Sequence, residues 1–386
     1  MKHFLTNDLL HENQSGFRPN HSCHTALTEL IDTWLSDINL NKLCGALFID
    51  FAKAFDVINH NLLLKKMNLY RLTTDTLNLI RSFLSDRHQV VSVKNKQSEV
   101  KPVVFGVPQG SVLGPLLFSI YINDLPLHIL SERCDMLTDD TKIHTSGRDI
   151  PSIVATLQSC VSDITEWTHI NDMSLNPSKT NYMILTTRQK RQILSSPPVQ
   201  LLVGNKQLHE VSEHKLLGVI MDNLTWGPHI RYLCKSLAKR VYQSAKIKNF
   251  LTFHARKTFF QAHIQSRIDY ASTLWDSASE SLSKPLKPLH RRAVKIILLK
   301  STSLTNDDYK KTTILPLKHR LMYNKARFMH KILSGKAPTY LVKRVSIHLY
   351  SRNDSRKLNV PMPRLDLFKS SLMYSDRLSG IHYLLH

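Results

Sequence analysis

The chain has 386 residues, 42% hydrophobic and 21% charged, with 52 Lys or Arg against 30 acidic residues and a formal net charge of +22. That composition excludes a disordered chain and suits a globular protein of two or three domains. The positive excess calls for a polyanionic partner, with nucleic acid the expected one and an anionic membrane surface the alternative.

The five cysteines, Cys23, Cys44, Cys134, Cys160 and Cys234, are scattered and never spaced C-x-x-C. They argue against a zinc site and a disulfide framework, and for a reducing compartment. The start, M-K-H-F-L-T-N-D-L-L-H-E, has no apolar h-region, so no secretory signal is read there. The most apolar run, Val112 to Ile122, spans only 11 residues and contains Gly114 and Pro115. It is too short to cross a bilayer. An intracellular protein, in the cytoplasm or the nucleus, is expected, with no membrane partner.

In chain order, His24 to Leu40 carries a helical stripe of Leu27, Leu30, Ile31, Trp34, Leu35 and Ile38. Gly45 to Asp50, G-A-L-F-I-D, reads as a buried strand with a carboxylate at its exit. Thr73 to Ser85 is helical. Gln89 to Val93 and Val100 to Phe105 are β-rich and separated by a polar stretch, which predicts a hairpin. Val112 to Ile122 fits helix or strand by periodicity, and its length and early Pro115 favour a helix.

Asp139 and Asp140 then sit side by side in M-L-T-D-D-T-K-I-H, on what reads as a hairpin. Ile153, Leu157, Cys160, Val161, Ile164 and Trp167 form another helical stripe, and Asn181 to Thr186 a strand. Arg188 to Pro198 is a basic connector, whose R-Q-K-R run suits nuclear import and a nucleic-acid surface equally. Gln200 to Val211 folds as a hairpin about Gly204-Asn205, and Lys215 to Met221 extends it. Residues 229–300 hold 15 Lys or Arg against three acids, a net +12. They read as a helical basic module. The stretch after residue 336 is basic and otherwise uninformative.

A strand-end Asp is usually a cap, and a lone Asp pair is usually a turn. Together, Asp50 and Asp139-Asp140 suggest carboxylates meeting around two Mg²⁺ ions about 3.5–4 Å apart. The cations would relieve the repulsion between the neighbouring aspartates. Between them lies F-G-V-P-Q-G-S-V-L-G-P-L-L-F-S-I-Y-I-N-D-L, residues 105–125. Its glycines allow a nucleotide close approach, and Gln109 offers a donor and an acceptor. The plainer alternative is a Gly/Pro loop before a buried helix.

D-F-A-K-A-F-D (50–56), this glycine-rich stretch and D-D-T, in this order, resemble a reverse transcriptase of the non-LTR (LINE-type) retrotransposon family. Q-S-G-F-R-P-N-H-S-C-H-T-A-L (14–27) resembles the family's fingers motif. S-L-N-P-S-K-T (174–180) resembles its lysine-bearing motif. H-K-L-L-G-V-I-M-D-N-L-T-W (214–226) resembles the primer-grip strand and the residues directly after it. R-I-D-Y-A-S-T-L-W (267–275) and L-H-R-R-A-V-K (289–295) resemble thumb helices. The similarity covers roughly residues 8–340, and its motifs are specific only jointly.

The resemblance implies an α+β right-hand polymerase fold: an antiparallel palm sheet packed on helices, partial fingers and a helical basic thumb. The expected division is fingers and palm over 1–186, connector and primer-grip hairpin over 187–228, thumb over 229–300 and a helical C-terminal region over 301–386. The implied activity is RNA-directed DNA polymerisation from dNTPs on a DNA primer and an RNA template, with Mg²⁺ or Mn²⁺. Asp50, Asp139 and Asp140 would bind metal. Lys179 would protonate the leaving pyrophosphate. Arg18, Phe55, Gln109 and Gly110 would meet the nucleotide, Phe55 as the gate against a ribose 2′-OH. The plainer alternatives are a core Phe55, a surface Arg18 and a solvated turn Lys179. Asp56 would support structure.

The signature is usually aromatic-Ala-Asp-Asp in the family, and here it reads Leu137-Thr138-Asp139-Asp140. The β-branched Thr138 suits a strand but adds bulk where a primer sugar passes. The family's earlier fingers segment and endonuclease domain would lie before Met1, so the frame resembles one truncated at its N-terminus. A remnant that binds nucleic acid without polymerising is the competing expectation.

Overall fold

The structure is a computed structural model. It describes residues 2–129, 132–187, 189–190, 200–345, 347–349, 356–358 and 363–371. Most of the basic connector, including Arg188 and Arg191, therefore lies outside the described residues. These fall into two compact units, one from residues 1–22 and 42–211, the other from 23–41 and 212–386.

The strands of the first unit are β1 (Leu43–Ile49), β2 (His88–Gln89), β3 (Ser92–Val93), β4 (Lys96–Gln97), β5 (Lys101–Pro102), β6 (Arg133–Leu137), β7 (Asp140–Gly147), β8 (Asn181–Leu185), β9 (Leu201–Val203) and β10 (Lys206–Glu210). Six of them form one sheet in the order β6-β7-β1-β8-β10-β9. The pairs from β6 to β8 are antiparallel, as is β9 with β10, but β8 and β10 run parallel. The sheet is thus mixed rather than purely antiparallel.

Every residue of β1 is buried, which is why its sequence is a continuous apolar run instead of an alternation. Helix Ile150–Ile170 packs onto it, buries Leu157, Ile164 and Trp167, and starts at Asp149, whose side chain accepts from the Ser152 N–H. Strand and helix meet at Gly45. A Cβ there would fall 2.4 Å from Ile153 Cγ2, so this contact tolerates no side chain.

Helix Gly114–Tyr121 begins with Pro115 in its first turn, as its length and proline placement favoured. It buries Phe118 and Tyr121. Behind it lies a buried ion pair that the sequence reading did not single out. Lys66, on helix His60–Leu69, donates to the Tyr121 carbonyl at 2.7 Å and to Asp124 Oδ1 at 2.8 Å. Its ammonium also lies over the rings of Tyr121 and Trp167. Burial pulls its pKa down, and Asp124 opposes this.

The predicted hairpin over 89–105 forms as two short exposed ladders, β3 with β4 and β2 with β5. Lys94 and Asn95 both take positive φ at its tip, the geometry of a two-residue hairpin turn. The second hairpin turns at Gly204-Asn205 between β9 and β10, as read from the sequence.

In the second unit, β11 (His214–Leu216) and β12 (Val219–Met221) form a hairpin of their own. This corrects the expectation that Lys215–Met221 extends the preceding one. Leu217 and Gly218 both take positive φ and fold the chain back on itself. Helix Cys23–Asn39 buries all six residues of its predicted apolar stripe, and Glu29 and Asp32 besides. Glu29 pairs with Arg344 at 2.7 Å. The basic module is helical, led by Gly227–Ile247 and Leu286–Leu298. Asp269 ties it to helix Leu317–Leu333, accepting from Arg320 Nε at 2.9 Å and Nη2 at 2.6 Å. Burial raises the Asp269 pKa, but the hydrogen bonds from Arg320, Asn324 and Gln265 outweigh it and hold the carboxyl below its ordinary range.

All five cysteines are free of disulfides. Among the described residues no helix is long and apolar enough to cross a membrane.

Candidate active site

The site grows out of sheet register. β1 pairs with β7 so that Ile49 faces Thr141. Asp50, just past the end of β1, therefore emerges beside Asp140, the first residue of β7. β6 and β7 are joined by a two-residue turn, Thr138-Asp139, closed by the pair Leu137↔Asp140. Two adjacent strands thus deliver three carboxylates to one end of the sheet. Burial raises the Asp140 pKa most, with repulsion from Asp139 and Asp50 adding to it and Lys142 pulling the other way.

Asp50 is held from the other side by the turn that leads into β8. Its carbonyl accepts from the Asn176 N–H at 2.8 Å, and its N–H donates to Thr180 Oγ1 at 3.2 Å. Asn176 Nδ2 donates to Asp50 Oδ2 at 2.9 Å. Lys179 Nζ stands 3.8 Å from the same oxygen with its side chain 69% exposed. Asn176 was missed as a site residue, although the motif S-L-N-P-S-K-T contains it. No spacing rule marks an asparagine as the partner of a carboxylate 126 positions away.

The remaining candidates take different places. Gln109 donates from Nε2 to Asp56 Oδ1 at 2.8 Å. Gly110 is exposed at φ 79°. Phe55 is half-buried and stacks on Phe118 at 4.6 Å between ring centroids. Arg18 Nη1 donates to the carbonyls of His11 at 3.0 Å and Gln14 at 3.3 Å, which ties its own loop. Asp50, Asp139, Asp140 and Lys179 are brought together; Gln109 pairs with Asp56, and Phe55 packs against a helix.

Thr138 is not a strand residue. It occupies the first position of the turn at φ 63°, and of the two turn residues it alone has a positive φ. Two-residue hairpins of that kind favour glycine at this position, because a Cβ there meets the backbone. A β-branched residue held so costs roughly 1–3 kcal/mol. The strain falls on any residue with a Cβ at this turn position, so the change from alanine adds only the cost of the β-branch. Thr138→Gly is expected to stabilise the fold by about 1 kcal/mol, while Thr138→Ala, which keeps a Cβ, retains most of the cost. Urea denaturation of the two variants beside the natural protein checks this.

Hard carboxylate oxygens suit Mg²⁺ or Mn²⁺ in kind, and the repulsion that Asp139 and Asp50 exert on Asp140 is of the sort a cation relieves. Among the described residues, no three His, Cys, Asp or Glu side chains close around a single point.

Residues 1–221 match the family model described as reverse transcriptase (RNA-dependent DNA polymerase). The chain is similar to the probable RNA-directed DNA polymerase from transposon BS of Drosophila melanogaster, 28% identical over 300 residues, covering 75% of this chain and 33% of the relative. It is 26% identical over 296 residues to the RNA-directed DNA polymerase from mobile element jockey of the same fly, covering 74% and 31%. The chain thus spans about a third of the length of these relatives. Among solved structures, apo telomerase from Candida tropicalis shares 12% identity at a TM-score of 0.43, covering 88% of this chain and 54% of that one. The family match spans more than half of the chain, so the chain belongs to the reverse transcriptase family.

Proposed function

We propose that this chain extends a DNA primer on an RNA template, joining a dNTP to the primer 3′-OH with release of pyrophosphate. The observation that carries this reading is the convergence of Asp50, Asp139 and Asp140 at one end of adjacent strands. In the reaction, the primer 3′ oxygen forms a bond to the α-phosphorus and the bond to pyrophosphate breaks. Asp50 and Asp139 would hold two divalent cations and Asp140 would complete the set. The cations supply activation of the 3′-hydroxyl and charge neutralisation of the leaving group. Asn176 holds one oxygen of Asp50 in place. Lys179, exposed and only loosely paired, is free to swing and donate a proton to the departing pyrophosphate. The Asp56–Gln109 pair fixes the amide where the incoming nucleotide would lie, which requires no rearrangement at the moment of reaction.

The second unit suits the backbone of the nucleic acid. On helix Gly227–Ile247, Lys235, Lys239, Tyr242 and Lys246 are all exposed and share one face by their spacing. Phe250 follows at 87% exposure. Cations alternating with aromatic rings fit phosphates and unstacked bases. Replacing Lys235, Lys239 and Lys246 together by Gln is expected to weaken binding to an RNA–DNA hybrid irrespective of sequence. The slope of log K against log salt should fall by about 0.9 for every phosphate that is no longer neutralised. Fluorescence anisotropy at a series of salt concentrations measures both effects.

The deciding assay is primer extension by the full chain on an RNA template with Mg²⁺ and dNTPs. Template-dependent extension supports the reading. Binding of the hybrid without extension, by protein that melts cooperatively, overturns it in favour of a nucleic-acid-binding remnant.

A further inference from the structure

The turn that carries Asp139 lies at the tip of the β6–β7 hairpin, and β6 is the edge strand of the sheet. An edge hairpin with nothing beyond it can sway, because its outer strand has only one paired side. Here the outer side is covered. Met136 N–H donates to the Asn13 carbonyl at 3.0 Å, and Ser15 N–H donates to the Met136 carbonyl at 2.8 Å. Residues 13–15 thus lie along β6 as a short parallel bridge, with Gln14 paired to Met136.

Gln14 itself is fully buried, at 0% exposure. Its Oε1 accepts from the Gly16 N–H at 2.7 Å and from the Thr138 N–H at 3.3 Å. The second of these is the amide of the strained turn residue next to Asp139. Its Nε2 is buried and, among the described residues, has no hydrogen-bond partner. Burying an amide half-satisfied costs free energy, so leucine would be the cheaper occupant were packing the only requirement. Gly16 completes the arrangement. A Cβ there would lie 2.7 Å from Thr138 N and 2.9 Å from Thr138 Oγ1, so the backbone of residue 16 presses directly on the turn. Arg18 holds the segment in shape through the carbonyls of His11 and Gln14.

We propose that Gln14, with Gly16 packed beside it, is a positioning residue that clamps the Thr138 amide and so fixes the Asp139-Asp140 turn relative to Asp50. This inference rests on the polymerase reading for its catalytic consequence, but the clamp can be measured without catalysis. A misplacement of ligands by about 1 Å is enough to slow a positioned reaction about a hundredfold.

The test uses the full chain and two readouts, hydrogen–deuterium exchange over 136–140 and single-nucleotide incorporation on an RNA–DNA primer-template. Gln14→Leu keeps the bulk and removes the acceptor, and Gln14→Glu keeps the acceptor. Gln14→Leu is expected to speed exchange at the turn about tenfold, leave helix Ile150–Ile170 unchanged, and slow incorporation about tenfold, in line with the cost of misplacement. Gln14→Glu, whose buried carboxyl is kept protonated by desolvation, retains the carbonyl acceptor and is expected to hold exchange near that of the natural protein. Unchanged exchange in a folded Gln14→Leu overturns the clamp, and so does slowed incorporation with an unchanged turn. If Gln14→Leu does not fold, Gly16→Ala decides, since its Cβ would fall 2.7 Å from Thr138 N and 2.9 Å from Gln14 Oε1 and so disturb the same hydrogen bond. Normal turn exchange in that variant sinks the proposal. Should the natural protein fail to extend a primer at all, the polymerase reading falls, while the exchange data still judge the clamp.

Discussion

Asp139→Ala is expected to reduce primer extension at least about a thousandfold, some 4 kcal/mol in the barrier, while leaving hybrid binding and thermal stability close to those of the natural protein. Asp139 is exposed at the tip of a hairpin and supports no packing. Its removal takes away one of three carboxylates whose joint charge would hold the cations, and relieves repulsion on Asp140. Side-by-side extension assays, melting curves and hybrid binding separate these effects. Loss of extension together with loss of folding would place the residue in the scaffold. Retained extension would remove it from the chemistry and require a different carboxylate set. Asp50→Ala should match it in activity. That variant also leaves Asn176 Nδ2 and Lys179 without their partner, so a modest change in stability accompanies it.

Lys66→Met is expected to destabilise the first unit by about 3 kcal/mol, the lower end of the usual cost of breaking a buried pair, because Asp124 is 30% exposed and keeps some hydration. The variant strands the Tyr121 carbonyl and the Asp124 carboxylate. The double variant Lys66→Met/Asp124→Leu should recover most of the loss, since well-packed apolar replacements of a buried pair are often neutral. The recovery is incomplete because Asp124 also accepts from Trp167 Nε1 at 3.1 Å. Urea titrations of the four proteins give the coupling directly, and additivity of the two single changes would contradict it.

The pair also carries a pH signature. Lys66 has its native pKa pulled below its ordinary value, so between the two the unfolded chain binds more protons than the folded one. Stability therefore rises with pH through that window, below about 10.4. Lys66→Met abolishes this contribution. Asp269 acts in the opposite pH range. Its native pKa is depressed, so its contribution is present above the ordinary carboxylate value and is lost as pH falls toward the native one.

Local sequence decided much of this protein. Periodicity marked the apolar stripe of Cys23–Asn39, because one helical face must be buried. The apolar run G-A-L-F-I before Asp50 marked β1, because a strand buried on both faces has no polar side to show. Gly204-Asn205 marked its turn through backbone preference. The order of D-F-A-K-A-F-D, the glycine-rich stretch and D-D-T marked the family, because each motif is contiguous and its spacing is visible along the chain. Lys66 was not singled out, although with Leu63 and Met67 it sits on the buried face of its helix, a lysine where periodicity asks for an apolar residue.

Other features belong to the tertiary structure alone. The parallel pairing of β8 with β10, the clasp of Asn176 on Asp50 and the reach of Gln14 to Thr138 join residues far apart in sequence. Such pairs form only after loop closure brings their segments together, and no local propensity encodes them. The conformation of Thr138 is the clearest case. By composition it is a strand residue, yet the register of β6 on β7 places it at a turn position with positive φ. The many hydrogen bonds and buried side chains of the two strands outweigh the preference of one residue, so the sheet, and not the threonine, sets the shape of the turn that presents Asp139.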